Sequence, residues 1–166
     1  MSPLAAALRG AGFASLLLLA GCGFTPLYAT PDLGAGLAAV EVTTPEGRAG
    51  ALLREQLDDA LGRRASSAPA YRLDVALSEL RYPRGVRVDN VATRYEYVLT
   101  AAYTFSAAAP GEALKTGKVR VELTYDSADQ PYASVIAQQD AQARAAQEAA
   151  RRIHLELAAF LAGQGS

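Results

Sequence analysis

The side chains able to carry out covalent or acid–base chemistry in this chain are few: one cysteine, Cys22, and one histidine, His154. A thiol nucleophile needs a base within hydrogen-bond reach and a third group to orient that base. His154 falls instead in a helical pattern beside an apolar stripe, with no evident third member, so a surface or half-buried helical histidine is the simpler reading. One Cys and one His exclude a Cys/His zinc cluster and an internal disulfide. Acidic residues are scattered, and the adjacent pair Asp58-Asp59 points in neighbouring directions on a helix, a solvated-face pattern. There is no glycine-rich phosphate loop, no Gly-x-Ser-x-Gly elbow and no His-Glu-x-x-His pair. The residues predict no enzyme, no metal site and no bound cofactor.

Cations are the remaining candidates. Residues 81 to 120 hold Arg81, Arg84, Arg87, Arg94, Lys115, Lys118 and Arg120 against Asp89, Glu96 and Glu112, a local excess of +4 in a chain of net charge −1. Arg84 and Arg87 fall at a turn around Pro83-Arg84-Gly85, and Lys118 and Arg120 occupy outward positions of a strand. Arginine suits bidentate phosphate contacts and lysine suits point contacts. Two readings stand: a solvated sheet face whose charges discourage edge aggregation, or a surface for an anionic ligand or partner, with Arg84, Arg87, Lys118 and Arg120 as its candidate residues. The near-neutral total argues against a dedicated nucleic-acid binder.

The setting of Cys22 points to a different chemistry. One positive charge at Arg9, an apolar stretch from Ala11 to Ala20 and a small residue before Cys22 make a secretory signal peptide over residues 1–21, too short to span a membrane as a mature anchor. Leu19-Ala20-Gly21-Cys22 resembles the lipobox of bacterial lipoproteins. That resemblance implies a diacylglyceryl group on the Cys22 thiol, cleavage before it, and an acyl chain such as palmitate on the new N-terminus. Each buried methylene contributes roughly 0.8 kcal/mol, so two or more chains anchor stably without a spanning helix. Gly23 stands where an inner-membrane retention signal would have Asp, which favours the outer membrane.

The remaining 145 residues from Cys22 to Ser166 are enough for one domain with its own core. Pro26, Pro31, Gly34 and Gly36 mark residues 22–36 as a lipidated tether or extended lead-in, followed by a single domain over 37–163. Leu37–Thr43 reads as a short strand. Thr44 at the N-cap and Pro45 at the first helical position start a helix to about Arg64, with Arg63 and Arg64 complementing its dipole. Tyr71, Leu73, Val75 and Leu77 alternate with polar residues, and the apolar phase then moves to Leu80 and Tyr82, which suggests a bulge or twist near Glu79. Two further alternating runs are Tyr95 to Phe105 and Val119 to Tyr125. Tyr132 to Ala162 is one long helix with a stripe of Ala146, Ala150, Ile153, Leu157 and Phe160, ended by Gly163. The class is α+β: a four-stranded, mostly antiparallel sheet with two helices on one face, in the order β-α-β-β-β-α. Clean alternation leaves the other face to solvent.

The start Cys22-Gly-Phe-Thr-Pro-Leu-Tyr28, with this element order and length, resembles the LPS-assembly lipoprotein family LptE. The Cys-Gly-Phe-x-Pro-Leu-Tyr form is similar to the variant of one branch; the Arg-Gly pair of other branches is missing. The resemblance implies a non-enzymatic protein that plugs and supports assembly of the LptD-type outer-membrane β-barrel, binds lipopolysaccharide, and sits periplasmically or in the barrel lumen. It fixes no basic residue as a lipopolysaccharide contact. An auxiliary lipoprotein of a lipid-transporting ABC system would share the signal, the small domain and the absence of chemistry. A lipid-anchored hydrolase would need a clustered nucleophile and base.

Overall fold

The computed structural model describes residues 31–63, 68–86, 92–109, 111–127 and 130–164. The signal peptide, Cys22, the first part of the tether, Arg64 and Arg87 lie outside the described residues. The elements run α1 (Pro31–Ala38), β1 (Val40–Thr43), α2 (Arg48–Leu61), β2 (Tyr71–Val86), β3 (Ala92–Ala107), β4 (Ala113–Asp126) and α3 (Pro131–Gln164). One sheet has the order β1-β2-β3-β4; β1 is parallel to β2, and the other pairs are antiparallel. The α+β class and the mostly antiparallel four-stranded sheet agree with the sequence reading. The helices number three among the described residues, because the expected tether gains one.

That helix is α1. Its glycines read as breakers, but Leu37 is buried in the core, and Gly36 faces Leu161 on α3, where a Cβ in its place would lie 3.9 Å from the leucine Cδ1. Pro31 opens it, at the position where a missing N–H costs nothing. Tertiary packing here outweighs weak local propensity. The strand after it is correspondingly shorter than Leu37–Thr43 and keeps only Val40 to Thr43, with Val40 and Val42 buried.

The second helix also begins later than the cap signal indicates. Thr44 does not cap it: its hydroxyl donates to the Gly50 carbonyl at 3.0 Å. The chain folds back over the first turn so closely that a Cβ on Gly50 would lie 1.9 Å from the Pro45 carbonyl oxygen. Gly47, at φ 114°, makes the turn into the helix. Gly62 then ends it in the left-handed conformation at φ 63°, its N–H donating to the Asp59 carbonyl and the Arg63 N–H to that of Asp58. Arg63 is therefore beyond the last turn, 3.5 Å from Asp58 Oδ1.

No bulge interrupts β2. Its register with β3 is unbroken from Tyr71↔Ala107 to Arg84↔Arg94, and the irregularity in the sheet lies at Phe105/Ser106 against β4. The phase change at Leu80 and Tyr82 means that these two side chains stand on the face away from the helices, 45% and 40% exposed. Odd positions of β2, β3 and β4 face the helices: Leu73, Leu99, Phe105 and Val121 are buried there under Ala145, Ala149, Ile153 and Leu157 of α3. Gly117 makes room for Tyr103, whose hydroxyl donates to Glu156 on α3. Further along, Tyr97 donates to Glu79 at 2.6 Å, Gln142 donates to the same carboxylate at 3.1 Å, and Arg81 donates to Gln138 at 2.8 Å while lying over the Tyr95 ring.

Leu99→Ala should cost roughly 2–5 kcal/mol, as a fully buried large-to-small change. Leu123 is only partly buried, so Leu123→Ala should cost less than Leu99→Ala, and Thr100→Ala, on the outer face, should stay within about 0.5 kcal/mol. Urea titrations followed by circular dichroism check the order; equal losses at the three sites would contradict a one-sided core.

Candidate functional site

Even-numbered residues of β2, β3 and β4 form the open face, and the register sets their rows: Arg84–Arg94–Asp126, then Tyr82–Glu96–Thr124, Leu80–Val98–Glu122, Ser78–Thr100–Arg120 and Ala76–Ala102–Lys118. Lys118 and Arg120 share this face, as the alternation required, and Arg84, expected at a turn, joins them because β2 runs on through it to Val86 and pairs it with Arg94. They do not form one free cationic patch. Arg84 places Nε 3.1 Å and Nη2 2.5 Å from Glu96 Oε2, Arg94 Nε lies 2.9 Å from Asp126 Oδ1, and Arg120 Nε lies 2.6 Å from Glu122 Oε1. The +4 excess stops at residue 120 and so leaves out Glu122 and Asp126, the carboxylates that β4 brings across.

The pairs are electrostatically continuous. Hydrogen bonding to Glu96 raises the pKa of Arg84, with smaller contributions from Tyr82 and Glu122; hydrogen bonding to Glu122 raises that of Arg120, which also feels Tyr82 and Glu96. The diagonal across the face thus runs Arg84, Glu96, Glu122, Arg120, two cations flanking two carboxylates, with Tyr82 beside them. Lys118, one row further, is exposed and makes no ion pair among the described residues. At the hairpin end, Arg84, Gly85, Thr93, Arg94 and Asp126 line an open cleft of about 640 Å³. Gly85 takes φ 61°, and Thr93 donates its hydroxyl to the Gly85 carbonyl at 2.6 Å, which fixes the strand end carrying Arg84.

Sequence reasoning passed over Arg94, Leu80 and Tyr82 as site residues. Arg94 faces Arg84 directly across the hairpin, which strand parity could have indicated had the register been known. For Leu80 and Tyr82 the signal was the phase change itself.

His154 is buried beside a cleft between α2 and α3 lined by Gln56, Asp59, Ala150 and Arg151, and burial lowers its pKa below 6.5. Asp59 is exposed, as a solvated helix face requires, but Asp58 is only partly exposed: it lies near Arg54 and Arg63, and its Oδ1 is buried without a hydrogen bond. No group of three or more His, Cys, Asp or Glu among the described residues is placed to hold a metal ion, and no described helix is long and apolar enough to cross a membrane.

A model of the LptE family, described as lipopolysaccharide-assembly, matches residues 37–157. The chain belongs to the LptE family. It is 50% identical to a candidate lipoprotein from Caulobacter crescentus CB15 of known structure, with 80% of this chain and 97% of that one covered and a TM-score of 0.70. Rare lipoprotein B from Shewanella oneidensis shares the fold at 16% identity, covering 76% and 97% with a TM-score of 0.58. An uncharacterized lipoprotein B from Nitrosomonas europaea does so at 13%, covering 74% and 83% with a TM-score of 0.56. Curated proteins give no match. Membership of the LptE family makes the protein a lipoprotein of lipopolysaccharide assembly.

Two titrations should separate along the pH axis. His154 has a lowered folded pKa, so the unfolded chain binds more protons, and stability should fall as pH drops below 6.5 toward the folded value. Glu148, held by Arg151 and Arg152, has its pKa lowered from 4.5 to about 2, so its contribution is present above 4.5 and lost as pH falls toward 2. Urea midpoints measured across pH should show both steps, and His154→Gln should remove the upper one alone.

Proposed function

We propose that this LptE-family protein is anchored in the outer membrane by lipid on Cys22, supports assembly of an LptD-type barrel, and holds lipopolysaccharide on its open sheet face during delivery to the surface. The observation that carries the reading is the family match over residues 37–157. The geometry supports it physically. The helices cover one face of the sheet, and the other is lined by paired charges and small polar residues, a surface suited to the polar interior of a large barrel. A rigid body with such a face fills a lumen that would otherwise be open to water.

Cargo binding follows from the exchangeable partners of the arginines. A guanidinium held by an exposed carboxylate can pass to a phosphate, which offers the same bidentate geometry. Arg84, Arg94 and Arg120 each have such a carboxylate, and Lys118 adds an unpaired point charge. Because each phosphate contact displaces an internal one, holding is weak and multi-point, so the cargo can leave. Leu80 and Tyr82 supply exposed apolar surface between the cationic rows for the lipid part.

Charge removal at Arg84, Arg87, Lys118 and Arg120 together should abolish lipopolysaccharide binding by the folded protein, and rising salt should weaken binding by the parent, since exposed charges are screened within about 8 Å at physiological ionic strength. Glu96→Gln should tighten binding instead, by releasing Arg84 from its internal partner. Binding that survives the substitutions and the salt would place the site elsewhere. Depletion of the protein should lower correctly assembled barrel and surface lipopolysaccharide, and photo-crosslinkers at Thr100 or Arg120 should capture the barrel. Normal barrel assembly after complete loss would refute the role and favour the ABC-system auxiliary.

The anchor has its own check. Cys22→Ser should block processing and leave an unacylated precursor. A variant that is cut and membrane-bound like the parent would overturn the lipid anchor.

A further inference from the structure

β4 is an outer strand of the sheet, and no described strand pairs with its far side. The Ser127 N–H donates to the Thr93 carbonyl, so the odd residues of β4 bond to β3. The N–H and C=O groups of Thr116, Lys118, Arg120, Glu122 and Thr124 consequently face away from the sheet. No proline lies in β4, and the register shift at Phe105/Ser106 falls on the N-terminal side of Thr116. The strand itself therefore presents a straight, pairable edge.

That edge has a flank. α3 runs beside it, and the cleft of about 580 Å³ between them has Val121 and Leu123 at its base and Arg144, Glu148 and Arg152 along the helix. One outward carbonyl, that of Arg120, accepts a hydrogen bond from Arg152 Nη1 at 2.9 Å, so a side chain stands in one ladder position. An unpaired edge beside a pocket suits an extended peptide, which gains main-chain bonds from the edge and a seat for alternate side chains. The charges along the edge define that peptide. Arg120 and Glu122 hold each other while 53% and 49% exposed, and Lys118 is exposed with no ion pair among the described residues.

We propose that the groove between β4 and α3 takes a loop segment of the barrel partner as a fifth strand of the sheet, antiparallel to β4. Its carboxylates stand opposite Lys118 and Arg120, a cation stands opposite Glu122, and apolar side chains lie over Val121 and Leu123. The choice of the barrel as source rests on the lumen-filling role proposed above. In water an unpaired edge is hydrated; enclosed in a lumen, its outward N–H and C=O groups need other partners. Barrels of this class carry long loops at one end, and loops folded inward can supply an extended segment. Arg152 gives up the Arg120 carbonyl to a backbone N–H of the segment and keeps Glu148, which it already holds at 2.7 Å. Strand carboxylates and cargo phosphates contend for Lys118 and Arg120, whereas Arg84 and Arg94, on strands further in, are untouched by the segment.

The test uses the full-length protein in mild detergent and the end-capped peptide Thr-Val-Lys-Val-Glu-Val-Glu, whose order sets its glutamates opposite Arg120 and Lys118. Binding should slow exchange of the Lys118, Arg120 and Glu122 amides at least about tenfold, read residue by residue by NMR, with the already bonded odd amides changing less. Methylating the backbone nitrogen of the peptide lysine or first glutamate, which face β4, should abolish binding. Methylating that of the valine between them, which faces away, should not. Lys118→Glu with Arg120→Glu should weaken binding at least about tenfold, and lysines in place of both peptide glutamates should restore it. Arg152→Ala should bind the peptide as tightly as the parent or more tightly, because the guanidinium competes for the Arg120 carbonyl. Circular dichroism confirms that each variant is folded. Unprotected even amides, equal effects of methylation at the two kinds of position, or weaker binding by Arg152→Ala would overturn the added strand. In native membranes a photo-crosslinker at Thr124 should capture a loop of the barrel. Capture from Thr100 and never from Thr124 would overturn the barrel as source and leave its assembly role standing. Peptide protection with no barrel captured from either position would overturn the barrel role and leave the groove as a strand site.

Discussion

The structure depends on one element: α3 lies along the inner face of β3 and β4, packs against α2, and reaches β2 through Gln138 and Gln142. Ala141, Ala145, Ala146, Ala149 and Ala150 are all buried along α3, and short side chains let the helix approach both the strands and α2 closely. Large residues are then supplied mainly by the sheet, as Phe105, Leu99 and Leu73, and by α2, as Leu53 and Leu57. Where alanine gives way to longer groups, the contact becomes polar: Glu156 accepts from Tyr103, and further toward the hairpin Gln138 and Gln142 bond Arg81 and Glu79. Burial raises the pKa of Tyr97 and of Tyr103, with their bonds to Glu79 and Glu156 adding to the effect, so both hydroxyls remain donors at any ordinary pH. A one-sided core and a set of fixed polar bonds thereby hold a sheet whose central strand is 16 residues long.

Closing one face determines what the other can be. With the helices all on the odd-residue side, every even position from Asp74 to Arg84 and from Arg94 to Ser106 belongs to the opposite surface. Val98 is nevertheless 1% exposed there, covered by its neighbours on three strands, so the open face has a firm centre under a charged surface. Its arginines are not left free. Each finds a carboxylate on the same or a neighbouring strand, which keeps the face soluble and rigid while leaving its cations available to a competing anion.

Element order was legible because the periodicities are strong: period two in β3 and β4, and an i, i+4, i+7 stripe in α3. Less legible were features decided by distant partners. Pro31, Gly34 and Gly36 carry tether chemistry locally, and only the packing of Leu37 and Gly36 against the rest of the fold turns that stretch into α1. Thr44-Pro45 imitates a helix start, but the close approach of Pro45 to Gly50 moves the start to Arg48. The phase change at Leu80 is ambiguous in one dimension, since a bulge and a pair of outward apolar residues produce the same string. The candidate site shared this fate. Parity set Lys118 and Arg120 outward, but Pro83-Arg84-Gly85 reads locally as a turn, and only the long β2–β3 register brings Arg84 onto the same face and beside Glu96.

The long axis of the molecule relates the site to the proposed anchor. α1 meets the C-terminal part of α3 through Gly36 and Leu161, near Tyr71 at the start of β2. The Arg84–Arg94 row lies toward the other end of a 16-residue strand, and such a strand extends about 50 Å. A lipid on Cys22 is joined to Pro31 by nine residues, which reach at most roughly 30 Å when fully extended. Under the proposed anchoring, the α1 end stays near the membrane surface, and the hairpin cleft either stands off from it or swings along it, according to how the long axis tilts. An anion held at Arg84 and Arg94 and one held at Lys118 and Arg120 would sit at different depths along that axis.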